Sequence, residues 1–195
     1  MKRTPRPQGW RGFTPLLIGM LTLLSSGSHP AFGKPGAPNH PVAEYQVKAA
    51  FILKFASFVQ WPCPECPMGS GPIQIAVLAG DPFGDLLPEE IPPDETNESA
   101  FQVTRLDRLE ADLSRFRMIF LPRGFPDLID PLLERVRDKP ILTIGEGEAF
   151  TERGGMIAFT LENNRVRFMV NLRQAQKANL KISSQLLNLA RTIIR

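Results

Sequence analysis

The chain is poor in the residues that most often carry chemistry. It has 195 residues but two His, two Cys and a single Tyr. His29 and His40 both fall in the first 40 residues, so general-base work by His, a Ser-His-Asp triad and a His-rich metal site have no residues to draw on. G-x-S-x-G and the phosphate-cradling Walker loop are also missing. Gly145-Glu146-Gly147-Glu148 has the spacing of a glycine fingerprint, but its two carboxylates would repel a phosphate, and it reads as a strand-end turn. The five acids between Glu89 and Glu98 lack the regular spacing of a calcium loop and read as a solvated segment. Nothing selects a carboxylate pair for hydrolysis, and no cofactor is implied.

No apolar run reaches the ~20 residues needed to span a bilayer. The longest, Phe13 to Leu24, contains Pro15. It follows Lys2, Arg3, Arg6 and Arg11 and precedes the small, turn-forming S-S-G-S-H-P-A-F-G. That order is the pattern of a secretory signal peptide over residues 1–33, cleaved after Gly33. No Cys follows closely, which speaks against a lipid-modified lipoprotein, and no Arg-Arg pair marks the twin-arginine route. Residues 34–42 form a Pro/Gly-rich tether, and 43–195 is of ordinary size for one domain.

The formal charge of +3 and the pI near 9.1 raise nucleic acid as a partner. Without residues 1–33 the chain holds 19 basic and 20 acidic side chains, and the basicity belongs mostly to the export signal. What remains is polarised: residues 34–100 carry 3 basic and 9 acidic groups, whereas from Arg153 onward there are 8 basic and 1 acidic. In an exported domain, that basic third is either a solvated face or an attachment surface for an acidic partner, envelope polymer or membrane surface; DNA is a poor fit.

Periodicity supplies the fold class. From Ala43 to Gln60, Tyr45, Ala49, Phe51, Ile52, Phe55, Ala56, Phe58 and Val59 share one half of a helical wheel, and Trp61-Pro62 closes the helix. Phe51, Phe55, Phe58 and Trp61 are expected in the core, with partner contact as the alternative. Lys48 falls within the apolar half and needs a counter-charge; Glu44 stands one turn before it. Strands are expected at Ile73–Ala79, Phe101–Leu106, Met118–Leu121 and Ile141–Ile144, with short helices near Leu86 and over Asp107–Arg115, and an amphipathic helix over Pro126–Asp138. Strands alternating with helices predict an α/β domain with a mainly parallel central sheet. A β-hairpin then turns at Asn163-Asn164, followed by helices at Leu172–Ala178 and Ser184–Ile194. Gly154-Gly155 permits a tight turn, and Asn171 with Ser183 and Ser184 are candidate helix caps.

Cys63-Pro-Glu-Cys66 is the sharpest local motif. In an oxidising compartment it reads as a structural disulfide, with a thioredoxin-like redox pair or a metal site as alternatives. A redox pair would want its first Cys at a helix N-terminus, whereas this motif follows a helix end.

Three segments together resemble the YfiR family of periplasmic regulators: V-K-A-A-F-I-L-K-F-A-S-F-V-Q-W-P from Val47, I-A-V-L-A-G-D-P-F-G from Ile75 with I-L-T-I-G-E-G from Ile141, and the long run from Gly154 to Arg191. The resemblance spans residues 43–191. It implies an exported, non-catalytic, homodimeric α/β protein that binds the periplasmic region of a membrane diguanylate cyclase and represses it. Cyclic di-GMP and biofilm formation fall as a result, often alongside an outer-membrane lipoprotein that sequesters the repressor. The well-known members place their disulfides elsewhere, so their redox control does not carry over to Cys63 and Cys66. Arg153, Arg165 and Arg167, which bracket the hairpin, and Lys48 are the partner-binding candidates. A thiol-disulfide enzyme and a small-ligand module using a sheet edge or dimer cleft are the competing readings.

Overall fold

In the computed structural model, residues 41–62, 71–95, 98–110 and 112–195 are described. The signal-peptide expectation over residues 1–33, the tether expectation over 34–40 and the disulfide or redox expectation at Cys63 and Cys66 lie outside the described residues; the last two tether positions, Pro41 and Val42, open the first helix instead.

Helix α1 (Pro41–Phe58) opens on a proline, whose fixed φ suits a first helical turn. It buries Lys48, Ala49, Ile52, Phe55 and Ala56, spaced three and four apart along one face. The helix stops two residues before the expected Gln60. There Val59–Gln60 form strand β1, which pairs antiparallel with β9 (Lys181–Ile182) in a separate two-stranded ribbon.

The main sheet is built from β2 (Ile73–Leu78), β3 (Glu90–Ile91), β4 (Phe101–Leu106), β5 (Met118–Phe120), β6 (Leu142–Glu146), β7 (Ile157–Glu162), β8 (Arg165–Asn171) and β10 (Thr192–Ile194). Their order across the sheet is β10-β8-β7-β6-β5-β2-β4-β3. All neighbours are parallel except β3–β4 and the β7–β8 hairpin. The predicted mainly parallel α/β architecture with a C-terminal hairpin and helices is therefore the fold observed. Its central strands read as apolar runs because both faces are covered. Ile75 and Val77 point into a core shared with α1, α4 (Leu172–Lys177) and α5 (Ser184–Leu189). Ala76 and Leu78 point into a second core with α2 (Ile129–Arg135) and α3 (Glu148–Glu152).

Local signals explain most turns. Asn163 and Asn164 adopt φ of 49° and 60°, the left-handed pair that a two-residue hairpin requires. Asn171 Oδ1 accepts the Gln174 amide and Ser183 Oγ the Leu186 amide, so both cap the helices that follow. Ser184 is the first residue of α5 rather than its cap.

Three expectations are corrected. Asp107–Arg115 is not a helix among its described residues: the Asp112 carboxylate accepts the Ser114 amide in a local turn, which competes with helical pairing, and Leu113 is fully buried there. The final helix ends at Leu189, because Arg191 N–H donates to Phe168 O and the β-branched Thr192-Ile193-Ile194 continue as β10 beside β8. The 88–99 segment contributes the short strand β3.

The chain runs from β2 outward to β4, then returns to the other side of β2 as β5. In open α/β sheets such a reversal leaves a crevice at the carboxyl ends of the flanking strands. Glu146 ends β6 at that same end of the sheet.

Candidate functional site

Two charged groupings stand out, one sealed and one open. The sealed one is built around Glu146, the last residue of β6. Its side chain and that of Lys48 are 0% and 1% exposed. Lys48 Nζ donates to Glu146 Oε1 and to Glu44 Oε1 one turn earlier on α1. The Tyr45 hydroxyl donates to Glu146 Oε2 at 3.3 Å, and the backbone N–H of Arg123, in the loop after β5, donates to the same oxygen. Lys48 Nζ also lies 4.4 Å from the centre of the Tyr45 ring, whose edge meets Phe83 at 5.4 Å. Burial, followed by the Glu146 charge and hydrogen bond, pushes the Tyr45 hydroxyl up to about 12.

Both oxygens of Glu146 are thus engaged, and the three donors come from α1 and the β5–α2 loop. The grouping clamps the first helix and that loop to the end of the sixth strand. None of the three cavities described below is lined by Lys48 or Glu146. Sequence reasoning placed Lys48 in the apolar face and named Glu44. It missed Glu146, because a carboxylate between two glycines looked like a turn. The available signal was numerical: a buried ammonium is poorly served by one partly exposed partner, and the acid at the end of an apolar strand is well placed to supply the second.

Gly145 sits beside Glu146 for steric reasons. A Cβ there would come within 2.4 Å of the Phe150 ring, and one on Gly155 within 2.2 Å of the same ring. Gly154, at φ 108°, makes the turn expected of the Gly-Gly pair, while Gly155 makes room for Phe150.

The open grouping lies on the hairpin. Arg165 faces Glu162 and Arg167 faces Thr160 across the β7–β8 register, so the two arginines share one face with those residues. Both are exposed, and among the described residues neither is paired with an acid. Arg191, preceding β10, holds Glu148 at 2.6 Å and approaches Glu162 at 3.7 Å; these carboxylates, with Glu148 foremost, hold its guanidinium above its usual range. Arg123, Thr160, Leu161 and Arg191 line an open cleft of about 370 Å³ at this end of the hairpin.

Arg153 is not part of that grouping. It lies before the start of β7, whereas the hairpin turn is at the far end, roughly 17 Å away along the strand at ~3.3 Å per residue. Its Nε donates to Asp130 Oδ1 at 2.7 Å, a second nitrogen to Oδ2, and Nη1 to Pro126 O at 2.9 Å, tying the α3–β7 turn to α2. The guanidinium keeps the Asp130 carboxyl below the ordinary range. It also lines a cavity of about 510 Å³ with Thr143, Met156, Gln174 and Lys177. A further cavity of about 510 Å³ lies between Trp61 and the α4–β9 turn, lined by Gln176, Asn179 and Leu180.

Among the described residues no cluster of three His, Cys, Asp or Glu could hold a metal ion, and no helix is long and apolar enough to cross a membrane. The family model described as YfiR/HmsC-like matches residues 45–191, from the second turn of α1 to just short of β10. A comparison with curated proteins gives no match.

Proposed function

The chain belongs to the YfiR/HmsC-like family, and on that premise we propose that it is an exported regulator which acts by stoichiometric contact. In this reading it binds the periplasmic region of a membrane diguanylate cyclase and favours its inactive conformation, lowering cyclic di-GMP and biofilm formation. A ligand moves such an equilibrium only by its differential affinity for the two states, so no bond-making residues are required. The observation that carries the reading is the family match over residues 45–191. It is supported by a fold whose unpaired arginines, Arg165 and Arg167, stand on an exposed hairpin. An outer-membrane lipoprotein that withdraws the regulator, and a homodimeric state, belong to the same proposal.

The test uses the mature chain as bait on detergent-solubilised membranes of the source cell, with cyclic di-GMP measured in parallel. Retention of a membrane diguanylate cyclase through its periplasmic region, with lower cyclic di-GMP on overexpression, is the expected result. Retention of no such enzyme overturns the reading. A Cys63→Ser variant that represses normally counts against the thiol-disulfide alternative.

A further inference from the structure

The eight-stranded sheet ends in two unlike edges. At one end β3 is two residues long and is followed by Pro92 and Pro93, which have no N–H to offer an incoming strand. At the other end β10, three residues long, has no proline to block an incoming strand. Thr192-Ile193-Ile194 contains no proline or charge, and among the described residues the strand pairs only with β8.

The direction of its free groups follows from the ladder. Arg191 N–H donates inward to Phe168 O. On β8 the Asn171 N–H donates to Met156 O on the β7 side, so Phe168 and Val170 face β10; with Ile193 opposite Val170, Thr192 and Ile194 pair inward with β8 and Ile193 turns its N–H and C=O outward. Ile193 and Ile194 are half-buried, and Leu189, just before the strand, is 60% exposed.

Charge surrounds this edge on one side of the balance. Arg191 precedes the strand, Arg195 follows it, and Arg173 donates to the Arg195 carbonyl. Arg165 and Arg167 stand on the neighbouring β8. The one acid from Arg153 onward is Glu162, already beside Arg191.

We propose that the outer edge of β10 is a docking site for an extended acidic segment of a partner protein, which adds a ninth strand to the sheet. Main-chain pairing to Ile193 would supply the register, and the arginines would select acidic side chains. The same charges disfavour a second copy as occupant. Two β10 strands related by a two-fold axis run antiparallel, and centred on Ile193 they set Arg191 against Arg195 at both ends. This docking mode rests on the regulatory reading, in which the occupant is part of a partner's periplasmic region.

The probe is a capped hexapeptide of alternating Glu and Val, titrated into the mature chain beside a Lys-Val counterpart and a Glu-Val peptide N-methylated at alternate amides. The acidic peptide is expected to bind and the Lys-Val peptide not to. N-methylation is expected to weaken binding about tenfold, the order expected for lost backbone hydrogen bonds. Binding should slow hydrogen exchange at the Ile193 amide, and not at Thr192 and Ile194, which are already paired with β8. An Ile193→Pro variant should lose binding to the same degree with its unfolding midpoint retained. Equal affinity of the N-methylated peptide, or no slowing at Ile193, overturns the proposal. So does a peptide-free chain of dimer mass in which the Ile193 amide is already protected. Cyclase capture without peptide binding removes the edge and leaves the regulatory reading; peptide binding without cyclase capture does the reverse.

Discussion

Lys48 and Glu146, 98 positions apart, form an ion pair in which both side chains are sealed from solvent. The surface pairs of the molecule are much more open: Arg137–Glu134 is 64% exposed on each side. Exposed pairs of that kind contribute about 0–1 kcal/mol, whereas breaking one partner of a buried pair leaves a charge with no solvent.

Lys48→Met is therefore expected to destabilise the fold by about 3–5 kcal/mol, since it leaves the buried Glu146 side chain without its partner. Adding Glu146→Gln should recover a large part of that loss, because the amide still accepts from Tyr45 and Arg123 without carrying a charge. Urea unfolding of the two variants checks both statements. A double variant no more stable than the single one would show that the pair is not the source of the cost.

Tyr45 sets an alkaline limit. Its folded value, about 12, lies above the ordinary value of 10.0. Folding therefore favours the neutral phenol, and the stability this contributes is complete below pH 10 and lost as the pH rises toward 12. Tyr45→Phe should flatten the decline of the unfolding midpoint across that window. The wild-type phenol should ionise late in an ultraviolet titration, and as the single Tyr of the chain it is read without interference.

Gly145→Ala is expected to cost about 1–3 kcal/mol, the usual range for overpacking a filled site. Its Cβ would meet side-chain atoms of Phe150. Phe150→Leu in the same chain should give part of this back, measured as a double-mutant cycle; additive losses would mean that the two positions do not collide.

Arg153→Ala and the pair Arg165→Glu/Arg167→Glu should separate structure from contact. Loss of Arg153 removes its bonds to Asp130, so the Asp130 carboxyl should return upward to the normal range in a side-chain NMR titration. The hairpin pair should change stability by no more than about 0.5 kcal/mol, yet abolish cyclase repression. Retained repression would remove the hairpin from the interface.

Asn171→Ala should cost about 1–2 kcal/mol, more than Ser183→Ala at about 1 kcal/mol. Asn171 both caps α4 through Oδ1 and donates from Nδ2 to Thr151 O at 3.1 Å, in a buried setting, while Ser183 caps only. Thermal unfolding of the two variants ranks them.

The strands β2, β4, β5 and β6, the helix between β5 and β6, the Asn163-Asn164 turn and the Asn171 and Ser183 caps were legible because each depends on residues close in sequence. The elements that escaped depend on distant partners. Thr192-Ile193-Ile194 continued a helical pattern until Phe168 O offered Arg191 a ladder bond. Val59-Gln60 looked like the last turn of α1 until Lys181-Ile182 came to lie beside it. Helix α3 is five residues long, too short for periodicity to mark. Of the site, Lys48 and Glu44 share one helix and were found together, whereas Glu146 arrives from another element. Arg153 was grouped with Arg165 and Arg167 by sequence proximity, although a strand's length separates them.

The clamp between α1 and β6 also orders events in time. A chain delivered N-terminus first presents α1 long before Glu146 exists to receive it. Until the sixth strand emerges, Lys48 keeps its water and α1 cannot seat, so Ile52 and Phe55, fully buried in the finished fold, remain uncovered. Helix α1 is thus among the last described elements to be laid down, and the nascent chain has an interval in which its apolar face is open to a holdase.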